Sequence, residues 1–176
     1  FSDRTYTLPT TGEYTLLLEG RIYSGLASDD FSFVLNRPAD PTPVNLVFGT
    51  TYTGTQAAAG DVQRYRFTLA APKMVAFDSL ANTAGISWTL NGPGDAVTRS
   101  FTNSDSFEAG AFPPVLLDAG EYELVVGGGF TSGAYGFRML DLAASAQPLA
   151  GDGTLVQGTP TIANGTQAFA FTATAG

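Results

Sequence analysis

Apolar and polar residues alternate in short runs along this chain. Tyr122, Leu124 and Val126 point to one side of their segment and Glu121, Glu123 and Val125 to the other. That period of two marks a strand with one buried face. Tyr65, Phe67 and Leu69 alternate in the same way with Arg64, Arg66 and Thr68, and Tyr135, Phe137 and Met139 with Gly136, Arg138 and Leu140. Residues 74–77, 86–90 and 96–101 predict further strands. Asn91-Gly92-Pro93-Gly94-Asp95 predicts a turn, because glycine permits positive φ and proline fixes the adjoining backbone. Asp118 to Glu121 and Thr10 to Glu13 predict turns by the same logic. No segment sustains a 3.6-residue apolar period with caps, so helix is expected to be minor.

The pattern also repeats. Gly12-Glu13-Tyr14-Thr15-Leu16-Leu17-Leu18 returns 108 residues later as Gly120-Glu121-Tyr122-Glu123-Leu124-Val125-Val126. Phe31-Ser32-Phe33-Val34-Leu35 returns 104 residues later as Tyr135-Gly136-Phe137-Arg138-Met139, a loop shortened by four residues accounting for the difference. In the other half of the unit, Gln63-Arg64-Tyr65-Arg66-Phe67-Thr68 corresponds at 104 residues to Gln167-Ala168-Phe169-Ala170-Phe171-Thr172, and Tyr52-Thr53-Gly54-Thr55 to Val156-Gln157-Gly158-Thr159. The expected organisation follows. Residues 1–37 are the C-terminal half of one repeat, 38–142 a complete repeat, and 143–176 the N-terminal part of a third. About seven to nine strands in a unit of about 105 residues predict an all-β fold, an antiparallel two-sheet β-sandwich of immunoglobulin-like or jelly-roll-like kind.

Composition narrows the chemistry. The chain has 176 residues, 8 basic against 16 acidic, and a net charge of -8, which repels phosphate backbones and anionic membranes and leaves divalent cations as partners. It has no cysteine and no histidine. Disulfides, thiolate metal sites, imidazole acid–base chemistry and Ser-His-Asp or Cys-His nucleophiles are thereby excluded. No apolar run reaches the roughly 18 residues of a membrane-spanning helix. No charged-then-apolar leader opens the chain, which reads as internal to a longer precursor or as a mature form.

Taken in order, Asp61-Val62-Gln63-Arg64-Tyr65-Arg66-Phe67-Thr68, Met74 to Asp78, Ser87-Trp88-Thr89-Leu90 followed by Gly92-Pro93-Gly94, Ala119 to Val126 and Gly133 to Asp141 cover the central repeat. This series resembles the bacterial pre-peptidase C-terminal-like β-sandwich domains, more closely the versions strung in tandem in very large secreted or surface proteins. The resemblance implies an extracellular, non-catalytic module that serves as a spacer, adhesive element or targeting appendage. It carries over no catalytic residues, because the matching positions are core and turn residues.

Calcium is the sharpest ligand expectation, since hard cations take six to eight oxygens from loop carboxylates and carbonyls. Asp29, Asp30, Asp61, Asp78, Asp95, Asp105 and Asp118, with Asn82 and Asn103, fall near strand ends. No D-x-D-x-D-G loop accompanies them, and solvated turns are the favoured reading. Trp88, the single tryptophan, is read as a core anchor, with a sugar-stacking platform as its alternative. Glu121 and Glu123 share a strand face, but their counterparts are Glu13 and Thr15; a catalytic carboxylate pair is not expected. Arg64 and Arg66 are expected to pair with acids of a neighbouring strand.

The leading expectation is therefore a structural or adhesive repeat module of a large extracellular or cell-surface bacterial protein, forming a fibre and requiring no cofactor. Its partners would be neighbouring repeats of the same chain or identical chains in a filament. A carbohydrate- or calcium-dependent binding module, with Trp88 against a surface glycan, is one alternative. An accessory domain of a secreted hydrolase is the other.

Overall fold

The computed structural model describes residues 8, 10–18, 33, 35, 41–103, 114–127 and 131–174. Its strands are β1 (Val44–Asn45), β2 (Tyr52–Gln56), β3 (Val62–Leu69), β4 (Lys73–Ser79), β5 (Ser87–Asn91) and β6 (Val97–Ser100), followed by a 3-10 turn at Phe101–Asn103. Then come β7 (Val115–Leu117), β8 (Gly120–Gly127), β9 (Gly133–Asp141), the single-turn helix α1 (Leu142–Ser145), β10 (Gln147–Pro148) and β11 (Phe169–Ala170).

Nine of these strands form two facing sheets, in the orders β1-β3-β8-β5-β6 and β2-β9-β4-β7. The unit from Val44 to Asp141 is a two-sheet β-sandwich, antiparallel throughout except where β1 runs parallel to β3. The longest ladder joins β3 to β8 from Val62↔Gly127 to Leu69↔Gly120. It sets Tyr65 opposite Leu124 and Phe67 opposite Tyr122. The alternation read from sequence thus becomes two inner faces. Tyr65, Phe67, Leu69, Trp88, Leu90, Tyr122, Leu124 and Val126 from the first sheet meet Val75, Phe77, Tyr135, Phe137 and Met139 from the second. Phe137, fully buried, stacks on Phe77 at 5.1 Å between ring centres and receives the edge of Tyr65 at 5.1 Å. Aromatic pairs in such geometries add about 0.5–1.5 kcal/mol each beyond the area they bury.

The strands expected at 74–77, 86–90 and 96–101 form as β4, β5 and β6, the first extended by one residue at its start and two at its end, the second shifted by one and the third one residue shorter at each end. β7 and the parallel strand β1 were not anticipated. Helix is minor among the described residues, as expected. Asp29, Asp30 and Asp105 lie outside the described residues.

Backbone geometry recurs across the 104-residue spacing. Gly49 and Gly153 both take left-handed conformations, with φ of 80° and 83°, and so do Gly60 and Asn164, with 84° and 61°. The amide of Asp61 donates to the Ala58 carbonyl at 3.2 Å, and the amide of Gly165 to that of Ile162 at 3.0 Å. The parallel pairing of β1 with β3 returns as β10 with β11, β11 lying 104 residues after the paired part of β3 and β10 lying 103 after β1. Burial does not recur: Phe169 and Phe171 are 43% and 65% exposed where Tyr65 and Phe67 are buried. At the other end Tyr14, Leu16 and Leu18, the counterparts of Tyr122, Leu124 and Val126, are likewise exposed.

Candidate functional site

The described acids proposed as cation ligands stand apart from one another. The Asp61 carboxylate accepts the Ala58 amide at 2.8 Å and closes its own turn. Asp95 and Asp118 are exposed, and the Asp118 carbonyl accepts the Tyr122 hydroxyl at 2.9 Å. Asp78 is fully buried; one carboxylate oxygen takes the Nε–H of Arg138 at 2.6 Å and the other the amide of Thr166 at 2.9 Å. Among the described residues no three acidic side chains come close enough to hold a metal ion together.

Trp88 is 3% exposed and stacks on Phe77 with ring centres 4.3 Å apart. Arg99 covers part of the indole at 5.8 Å. The indole is thus packed between the two sheets, one face against Phe77 and part of it under Arg99.

The outer face of the first sheet carries an ionic trio. Glu123 accepts Nη1–H of Arg64 at 2.9 Å through one oxygen, and through the other Nε–H and Nη2–H of Arg66 at 3.1 and 3.0 Å. The partner expected for both arginines is thus the acid on the adjacent strand, directly opposite Arg66. Glu123 is thereby occupied as a structural group, and Glu121 on the same face points into solvent.

A cavity of about 560 Å³ opens where β1, the end of β3 and the β9–α1 junction meet, lined by Leu46, Phe48, Arg66, Phe67, Lys73 and Asp141. Its charged groups are paired already, Arg66 with Glu123 and Lys73 with Asp141. Asp141 also caps α1, accepting the Ala144 amide at 3.2 Å. The Lys73 hydrogen bond, helped by the cap and opposed by burial, holds the Asp141 carboxyl below the usual carboxylate range. Deeper in the core, burial pushes the Tyr65 hydroxyl far up, reinforced by its 3.1 Å hydrogen bond to Tyr135. Burial also raises Tyr122. These groups stay in one protonation state around neutrality, and among them no base is poised against a nucleophile.

No family model matches the chain, and no curated protein matches it. Among solved structures it is similar to PliG of Salmonella Typhimurium, a periplasmic lysozyme inhibitor of g-type lysozyme. That likeness has 21% identity, covers 57% of this chain and 98% of that one, and has a TM-score of 0.44. A mutant of the Escherichia coli PliG is similar at 23% identity, over 56% of this chain and 96% of that one, with a TM-score of 0.41. The pre-peptidase C-terminal domain of a Bacillus anthracis collagenase, a domain of the kind the sequence resembles, is similar at 20% identity, over 59% and 98%, with a TM-score of 0.39.

One group escaped the sequence reading. The Asp78–Arg138 pair lies on the outer side of the second sheet, since Val75 and Phe77 point inward and Asp78 is one step out of phase with them. The signal was present in the alternation of β4 and β9, but it needs the register that sets Asp78 opposite Arg138.

Proposed function

We propose that this chain is a stretch of a tandem array of β-sandwich modules of about 105 residues, acting as non-catalytic structural or adhesive units on the outside of a bacterial cell. The recurrence at 104 residues carries the reading. Two left-handed turn positions, one turn hydrogen bond and a parallel two-strand ladder return at corresponding places in the central unit and after it. The chemistry is in keeping with it, since the carboxylates of Asp61, Asp78, Glu123 and Asp141 are tied up in a turn, a cap and ion pairs. The exposed apolar residues of β11 are what a module would show before its remaining strands cover them.

In a repeat array each unit contacts its neighbours and length grows with copy number. Chains carrying one, two and three copies of residues 38–142 test this by small-angle scattering. A maximum dimension that rises by a constant increment per copy is expected. A compact particle whose dimension grows only with the cube root of mass would overturn the reading.

A further inference from the structure

The outward-facing residues of a sandwich strand are normally wet, yet Asp78, Arg138 and Leu140 on the outer face of the second sheet are dry or nearly so. Leu140 is buried apart from the main core cluster. The turn from Ile162 to Thr166 lies over the ion pair. There Asp78 accepts the Thr166 amide at 2.9 Å while Arg138 donates to the Thr166 carbonyl at 3.2 Å. One carboxylate and one guanidinium thus bind both polar groups of a single residue's backbone. The fit is close: a Cβ placed on Gly165 would stand 2.8 Å from Arg138 Nη2.

We propose that the outer face of the second sheet is the docking surface for the following repeat, and that the Asp78–Arg138 pair is its anchor, fixing that repeat rigidly on the central sandwich. A charge pair is costly to bury and repays that cost only when its remaining hydrogen-bonding positions are filled; Thr166 fills one on each side. The linker is anchored too, because Asp141 caps α1 while pairing with Lys73 of β4. Both ion pairs therefore tie β4 to β9, and both end on the connection to the next unit. The preceding connection is made of other residues. In sequence, 104 residues earlier, Val34 stands where Arg138 is and Arg37 where Asp141 is, followed by Pro38, Pro41 and Pro43. The array has one clamped joint and one proline-spaced joint.

The anchor recognises main chain rather than side chain, so Asp78→Asn should weaken it while sparing the shape of the core. Amide hydrogen exchange on the 176-residue chain reads the effect. Residues 162–172 should exchange about 10- to 100-fold faster in Asp78→Asn, the range expected for losing a charge-assisted hydrogen bond, while Leu124 and Val126 keep their protection. Thr166→Pro, which removes the donor without touching the sandwich, should release the same segment and shift the Arg138 Nε–H signal in nitrogen-correlated spectra. A Thr166 amide that exchanges freely in the wild-type chain, or a segment equally protected in both variants, would overturn the proposal. Calling the docked segment a following repeat rests on the tandem reading. If the multi-copy chains fail to elongate but Thr166 behaves as stated, the anchor stands and the array falls.

Discussion

Replacing Trp88 tests the core and the functional reading together. A fully buried aromatic side chain removes about 150–250 Å² from water, worth roughly 4–6 kcal/mol at 25 cal/mol per Å². Alanine retains a little of that, and the lost stack on Phe77 adds about 0.5–1.5 kcal/mol. Partial collapse of the site brings Trp88→Ala to a loss of about 4–5 kcal/mol, the upper part of the range for large core truncations. Against a total stability of about 5–15 kcal/mol for a domain, the variant is left barely folded, with a melting temperature lower by roughly 15–25 °C. Trp88→Phe keeps a ring against Phe77 and should lose only about 1–2 kcal/mol. Scanning calorimetry of the three chains measures the differences, and iodide quenching of the single wild-type tryptophan gives an independent reading of burial. If Trp88→Ala melts within about 3 °C of wild type, or if iodide quenches the indole as it does free tryptophan, the packing argument is wrong and an exposed platform returns.

Four further outcomes are expected. Tyr65 keeps its proton in the folded state well above the pH at which an unfolded tyrosine loses it, so its contribution is complete below about pH 10 and falls by about 1.4 kcal/mol per unit above that; the tyrosinate absorbance of wild type less that of Tyr65→Phe should rise in step with unfolding rather than before it. The lowered Asp141 acts at the other extreme, its contribution being present above about pH 4 and lost as the pH falls towards its depressed folded value, which denaturation of Asp141→Asn at pH 3 and pH 6 would show as a difference only at the higher pH. Glu123→Gln should cost about 1 kcal/mol in low salt and less in 1 M salt, because its bonds to Arg64 and Arg66 are partly exposed; an unchanged urea midpoint would remove the trio from any account of stability. Finally, since the described acids are dispersed, melting temperatures in millimolar calcium and in chelator should coincide, and a rise with calcium would point to acids outside the described residues.

The strands that alternate strongly were readable because burial on one face forces the alternation. β8, with Tyr122, Leu124 and Val126 inward, could hardly be read otherwise. β1 and β7 were missed because they are two and three residues long and follow prolines at 43 and 114, which suppress strand signals locally while being tolerated at a sheet edge. The parallel pairing of β1 with β3 has no sequence signature, since period and composition identify a strand but not its neighbour. The acids were legible only as a class. Asp61 and Asp78 look alike in sequence, yet one closes a three-residue turn and the other is buried under a distant segment, because burial of Asp78 depends on residues 88 positions away.

The ionic trio on the first sheet does little for stability, but it bears on how such a chain sorts itself while folding. In the proposed array successive units would carry similar β3 and β8 patterns, so a nascent β3 would meet several plausible mates, and exchange between neighbours is a characteristic failure of repeat proteins. Arg64 and Arg66 find Glu123 on their own unit's strand; the corresponding strand of the preceding copy offers Thr15 instead, and the following copy's β3 counterpart carries Ala168 and Ala170. A mismatched pairing would strand two guanidinium groups opposite a neutral residue or leave the glutamate facing alanines. In such an array three ordinary surface charges would act as a label of kinship, telling each strand which sheet is its own.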